Sequence, residues 1–221
     1  SDGNSHHALQ ILRSGSGDSP ATFTFRQSLG AGEEKTVREP LTSEALREHA
    51  IEIARGHQVC LSSGRRQHLL KCLNKSRQAL ERVRQDLFEA VRLEQRISPA
   101  AEWLLDNAYV IHGHIADICR NLPARYDKEL PTLQEKNNGS ELRVQYLART
   151  IVEKTDSHLT RSNITEFLQA YQTVSPLTIG ELWVFPLMLR FVLIEELGHQ
   201  ALQVNRRQLE RQRADFWANR L

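Results

Sequence analysis

Cysteine, aromatic residues and net charge are all low in this sequence, and each shortage argues against a class of protein. Three cysteines, none in CxxC spacing, support neither a disulfide framework nor a zinc site, so we expect reduced thiols. Aromatic residues make up 6% of the chain, which argues against a β-sandwich and against a carbohydrate cleft lined with stacked rings. With 29 basic and 27 acidic residues the net charge is +2, which does not favour nucleic acid as a partner.

The motifs of nucleotide and cofactor sites are also missing. The sequence contains neither GxGxxG nor GxxxxGK[ST], no Asp-X-Asp for a metal-bound diphosphate, and no nucleophilic Ser or Cys in an elbow context. His112 and His114 are two residues apart, so on a helix they point to different faces and do not share a metal ion. We therefore expect no cofactor, no metal and no complete catalytic site in this chain.

The sequence also lacks a long uncharged apolar run. Its most apolar stretch, residues 182–197, is interrupted by Arg190, Glu195 and Glu196. The uncharged part is far shorter than the roughly 20 residues that a transmembrane helix needs. We predict a largely buried central helix here instead of a membrane span.

Two regions differ in their pattern. Residues 1–40 are rich in Gly and Ser and poor in apolar residues, so we predict a flexible, disordered tail, in which Thr22–Phe25 alternates like a short strand without a partner. Residues 41–221 show apolar residues at helical spacing and form the predicted helical domain. We predict an all-α irregular bundle of about six helices, over residues 43–56, 66–96, 99–122, 140–155, 163–173 and 178–221.

Capping signals fix the helix starts. Thr42 or Ser43 caps the first helix, Ser98 followed by Pro99 caps the third, and Ser140 is expected to cap the fourth. Thr178 and Glu181 have the spacing of a capping box at the start of the last helix. Pro186 lies inside that helix and should kink it, because it has no N–H to donate to the carbonyl of Leu182.

Three carboxylates among apolar neighbours are candidates for acid–base chemistry: Glu102, Asp106 and Glu181. A catalytic pair has to face across a cleft, which sequence does not establish. Simpler explanations exist, since Glu181 caps a helix and Glu102 lies in a first turn, where the helix dipole favours a negative charge.

A basic run lies near the end of the chain. The arginines are interspersed with Gln and Glu, which favours a solvated helix face, and an anionic membrane surface is the preferred partner if there is one. They are Arg206, Arg207, Arg211 and Arg213.

Three stretches in order resemble the N-terminal region of the cyclic β-1,2-glucan synthases. The first is ISPAAEWLLDN at residues 97–107, followed by LPARY at 122–126 and ELP at 129–131. The second is FLQAYQ at 167–172, and the third is PLTIGELW at 176–183, leading into PLMLR at 186–190. The resemblance covers roughly residues 41–221.

The resemblance implies a non-catalytic cytoplasmic segment of a very large inner-membrane protein. Its downstream domains would include a membrane-embedded glycosyltransferase that uses UDP-glucose, and this segment would scaffold or regulate that domain. The implied partners are other domains of the same parent and possible further copies of the chain. A glucan- or nucleotide-sugar-binding module and a free-standing helical interaction protein remain the alternatives.

Seven residues in the matching stretches are structural or binding candidates: Glu102, Trp103, Asp106, Asn107, Glu181, Trp183 and Arg190. We expect both indoles, Trp103 and Trp183, to be buried and to lock two helix starts together, each N–H needing a partner such as Asp106 or Asn107. Arg190 is expected to pair with Glu181 or Glu195. If the indoles are exposed instead, they would stack on sugar, with Asp106 and Glu181 beside them.

Overall fold

A computed structural model describes residues 41–61, 65–122, 130–134 and 140–218. The flexible tail and the short strand predicted within residues 1–40 lie outside these residues. The described part is mainly helical, as predicted, with seven helices. They are α1 (Ser43–Gly56), α2 (Arg65–Arg92), α3 (Pro99–Asp106), α4 (Ala108–Asn121), α5 (Arg143–Lys154), α6 (Arg161–Gln172) and α7 (Ile179–Ala218).

The caps explain where several helices begin. Thr42 accepts a hydrogen bond from the backbone of Ala45 at α1, and Ser98 accepts one from Ala101 at α3, with Pro99 in the first turn. Helix α6 begins with a capping box between Thr160 and Asn163 that the sequence analysis did not identify.

The predicted single helix at 99–122 is wrong, because Asn107 divides it into α3 and α4. The backbone of Asn107 leaves helical geometry, with φ −98° and ψ 4°. Its side-chain amide donates a hydrogen bond to the carbonyl of Trp103 at 2.8 Å. Asparagine competes with the backbone for helical hydrogen bonds in this way, which accounts for the break.

A small antiparallel sheet accompanies the helices and was not predicted. Its strands, β1 (Val59–Leu61), β2 (Pro131–Gln134) and β3 (Ser140–Leu142), lie in the order β1-β2-β3. Ser140 therefore belongs to a strand, and the prediction that it caps a helix is wrong. Helix α5 begins at Arg143, directly after β3.

Helix α7 is the central element of the bundle. Its 40 residues span about 60 Å, and it packs against α2, α3, α4 and α5. The helix continues through Pro186; the kink there stays a prediction. Within the described part of the chain, no helix is both long and apolar enough to cross a membrane.

Helix α2 packs against α7 along an apolar face. Leu69, Leu73, Leu80, Val83 and Leu87 are buried on it. Ala90 continues this buried face, whereas Val91 is exposed.

The two long helices approach closely at one glycine. A Cβ on Gly198 would lie 3.3 Å from the Cβ of Ser76 on α2, so the absence of a side chain allows the contact.

Helix α1 packs on α6.

Candidate functional site

The predicted capping box at the start of α7 is confirmed. The backbone N–H of Thr178 donates to Oε2 of Glu181 at 2.8 Å, and the N–H of Glu181 donates to Oγ1 of Thr178 at 3.2 Å. The Glu181 side chain is fully buried. Burial of a carboxylate at this position requires a cation beside it, which the capping motif does not supply.

That cation is Arg143, at the start of α5. Its Nε donates to Oε1 of Glu181 at 2.7 Å, and one terminal nitrogen donates to Oε2 at 2.5 Å. The guanidinium also donates to the hydroxyl of Ser175 at 3.0 Å and to the carbonyl of Pro176 at 3.1 Å. The bidentate pair joins the start of α5 to the start of α7. Sequence reasoning missed it because the two residues are 38 positions apart and an arginine is normally exposed.

A tyrosine and a histidine extend this buried network. The hydroxyl of Tyr171 lies 2.8 Å from Nδ1 of His57, whose ring also meets Tyr146 edge to face. Burial, with a further contribution from the Arg143 charge, lowers the pKa of His57 to about 4, so the imidazole is neutral near pH 7. Tyr171, Arg143 and Glu181 are at most 4% exposed, so a dissolved substrate does not reach them. This arrangement stabilises the fold.

The candidates on α3 do not join Glu181 in a shared site. Trp103 is buried, as predicted, whereas Glu102 and Asp106 are exposed. Both oxygens of Glu181 accept hydrogen bonds from Arg143, so this carboxylate is not available for acid–base chemistry with them. Among the residues that the structure describes, no group of three metal-ligating side chains occurs.

Trp183 points outward, and the expectation that it is buried is wrong. Its side chain is 78% exposed, only two residues after the fully buried Glu181. The indole borders an open cleft of about 200 Å³ between the end of α4 and the first half of α7. The cleft is lined by Asn121, Trp183, Val184, Pro186, Leu187 and Arg190.

Arg190 does not make either of the ion pairs expected for it. Glu181 is taken by Arg143, and Glu195 lies 3.3 Å from Arg149. Within the described ranges, no carboxylate lies within ion-pair distance of Arg190, and its buried Nε has no hydrogen-bond partner. Its charge acts on His114, whose pKa is lowered first by burial and then by Arg190. Arg190 therefore lines the cleft without an ion pair to any described carboxylate.

The predicted basic run lies on the last turns of α7. Arg206, Arg211 and Arg213 are exposed, and Arg207 is half-buried. Residues 206 and 213 are seven apart and share a helix face. The arrangement agrees with a solvated helix face, and its proposed membrane contact stays a prediction.

The described part of the chain is a helical segment, and three of its stretches resemble the cyclic β-1,2-glucan synthases. Comparison with known proteins confirms the predicted resemblance to that family. Cyclic beta-(1,2)-glucan synthase NdvB of Rhizobium meliloti (strain 1021) is 42% identical to the chain over 126 residues, or 57% of the chain. The matched stretch covers 4% of the length of that relative. No protein-family model matches the chain.

Proposed function

We propose that this chain is a non-catalytic helical segment of a larger, membrane-bound glucan synthase, and that it scaffolds or regulates the transferase domain. The observation that carries the proposal is the 42% identity to a cyclic glucan synthase, over a stretch that makes up 4% of it. In this account the parent uses UDP-glucose, and the segment lies on the cytoplasmic side of the inner membrane. Its main partners are other domains of the same parent.

The internal packing supports a scaffolding role. Helix α7 contacts four other helices, and the buried pair of Arg143 and Glu181 fixes its start against α5. A helix that packs against several neighbours is expected to deform little when another domain binds to it. Rigid elements of this kind hold partners in a defined geometry better than loops do.

The end of α2 offers a surface for such a partner. Phe88, Val91 and Leu93 lie within six residues of one another and are all largely exposed. Exposed apolar side chains that lie close together are typical of contact surfaces between domains or proteins. We place the contact with the transferase domain here, and a second copy of the chain or an anionic membrane facing Arg206, Arg207, Arg211 and Arg213 are the other candidates.

The test compares membranes that carry the full-length parent with membranes in which residues 41–218 are deleted. Both receive labelled UDP-glucose, and a blot checks that protein abundance and membrane insertion are equal. We expect the deletion to abolish or alter the labelled glucan. A matched second variant, Phe88→Ser with Leu93→Ser, should reproduce the change if α2 makes the contact, whereas the exposed Leu202→Ser on α7 should not.

Two outcomes would overturn parts of the proposal. Unchanged glucan after the deletion would exclude a role of this segment in synthesis. If the intact parent makes no glucan from UDP-glucose, the activity inferred from the resemblance is itself wrong.

The alternative of a sugar-binding module has one observation in its favour: the exposed Trp183 lies near Arg190, whose buried Nε has no hydrogen-bond partner among the described residues. Trp103 and Glu181, which that alternative also invoked, are buried and do not line the cleft. A sugar-binding site would therefore involve fewer residues than the sequence suggested. Such a site and a scaffolding role do not exclude each other.

A further inference from the structure

We propose that the cleft between α4 and α7 binds one glucosyl unit of a glucan chain, with the ring stacked on Trp183. The cleft supplies a flat apolar face, unused donors and a few acceptors, which is what a neutral sugar ring needs. These groups indicate the general class of ligand, which is a hydroxylated ring. The choice of glucose rests on the proposed function.

The position of Trp183 is held rigidly from inside the fold. Glu181 is two residues earlier, so the two side chains lie about 200° apart around the helix. The ion pair with Arg143 anchors the inward side, and the indole on the outward side is thereby presented to solvent. A large aromatic side chain that is 78% exposed on a fixed helix has a face free for stacking.

Arg190 supplies the donors. It lies seven residues after Trp183, two helical turns along the same face, and both line the cleft. Its buried Nε has no hydrogen-bond partner in the described ranges, although buried donors are rarely left unpaired. Because Nε itself is closed to solvent, donation to a ligand hydroxyl in the cleft falls to the terminal nitrogens of the guanidinium, and it needs no negative charge on the ligand.

Acceptors in the cleft favour a sugar over a phosphate. The side-chain amide of Asn121, which lines the cleft, both donates and accepts hydrogen bonds. A phosphate near neutral pH is an anion that mainly accepts hydrogen bonds, whereas each sugar hydroxyl is neutral and both donates and accepts. The volume of about 200 Å³ is below the roughly 300 Å³ at which pockets for larger ligands begin, so one ring fits better than a nucleotide sugar.

The test uses the 221-residue chain and a linear β-1,2-linked gluco-oligosaccharide, with isothermal titration calorimetry as the readout, because a fluorescence signal from Trp183 would be lost with the residue itself. Trp183→Ala should weaken binding about tenfold or more, because stacking removes on the order of 50 Å² of apolar surface from water. Trp217→Ala is the matched control, since Trp217 is also exposed on α7 but does not line the cleft. Arg190→Gln should weaken binding by a smaller factor, and circular dichroism checks that each variant is folded.

Saturable binding that Trp183→Ala loses and Trp217→Ala retains is the expected result. No saturable binding up to about 10 mM oligosaccharide, or equal loss in both tryptophan variants, would overturn the inference. Preferential binding of inorganic phosphate or UDP-glucose in the cleft would overturn it as well.

Failure of this inference and failure of the proposed function give different results. If the deletion alters glucan synthesis but the chain does not bind oligosaccharide, only the sugar site is wrong. If the cleft binds β-1,4-linked gluco-oligosaccharide through Trp183 while the deletion leaves synthesis unchanged, the ring-binding site stands, and its assignment to this glucan falls with the proposed function.

Discussion

Two arginines that contact α7 or lie on it have opposite environments. Arg143 is buried and makes four hydrogen bonds, two of them to the carboxylate of Glu181. Arg190 is half-buried, and its Nε has no partner in the described part of the protein. The first cation is fully used in holding the fold together. The second makes no ion pair with a described carboxylate, and this difference is what we use to distinguish the proposed ligand site from the internal ion pair.

The same contrast applies to the side chains beside these arginines. Glu181 is fully buried, and Trp183, two residues later, is largely exposed. The pattern of apolar residues around position 182 suggested burial on most sides. The pattern did not show that the face carrying Glu181 is buried against Arg143 whereas the face carrying Trp183 is exposed.

The largest expected effect comes from the same substitution at both arginines. Arg143→Met leaves the Glu181 carboxylate buried without its cation, and we expect a loss of about 3–5 kcal/mol in the free energy of unfolding. Arg190→Met keeps the aliphatic stem and removes an uncompensated charge, so we expect a change of about 0.5 kcal/mol or less. Urea denaturation monitored by circular dichroism measures both. Equal losses of unfolding free energy in the two variants would contradict the claim that Arg143 stabilises the fold and Arg190 does not.

A second pair of variants compares the two tryptophans of the matching stretches. Trp103→Ala creates a cavity in the core and should lower the free energy of unfolding by about 3 kcal/mol. Trp183→Ala removes an exposed side chain and should lower it by no more than about 0.5 kcal/mol. Thermal and urea unfolding provide the comparison. A large loss for Trp183→Ala would mean that the indole is packed in solution, contrary to the structure.

A smaller effect should appear in the pH dependence of stability. The pKa of His57 is about 4 in the folded protein and 6.5 in its ordinary state, so the unfolded chain binds a proton first as the pH falls. The contribution of His57 to stability should therefore be complete above about pH 6.5 and decrease as the pH falls toward 4. The free energy of unfolding measured at pH 7.0, 6.0 and 5.0 should fall more steeply in the unmodified chain than in His57→Gln. The same slope in both would show that His57 titrates normally in the fold.

Local signals in the sequence predicted much of the helical framework. Thr42, Ser98 and the pair of Thr178 and Glu181 act within one helical turn, and each begins a helix as expected. The all-α class followed from apolar spacing, because a helix face repeats within a few residues. The small sheet was missed because its strands have only three or four residues and because β1 pairs with β2 across 70 to 74 positions of sequence.

The candidate site was less predictable for a related reason. Arg143 was not identified, because its partner lies on another helix and only the tertiary fold brings them together. Trp183 was placed on the wrong side of α7, since an exposed indole and a buried one follow the same kind of apolar pattern. Asn107 was named as a partner for an indole, whereas its amide bonds to the backbone of Trp103 and ends the helix.

The most direct test of the central claim is rescue of glucan synthesis by the separate chain. Membranes carrying the parent without residues 41–218 receive labelled UDP-glucose and increasing amounts of the purified 221-residue chain. We predict that the intact chain restores labelled glucan toward the level of the undeleted parent, and that the destabilised Arg143→Met chain restores less. Synthesis that is the same with and without the segment, at equal parent abundance, would contradict the account.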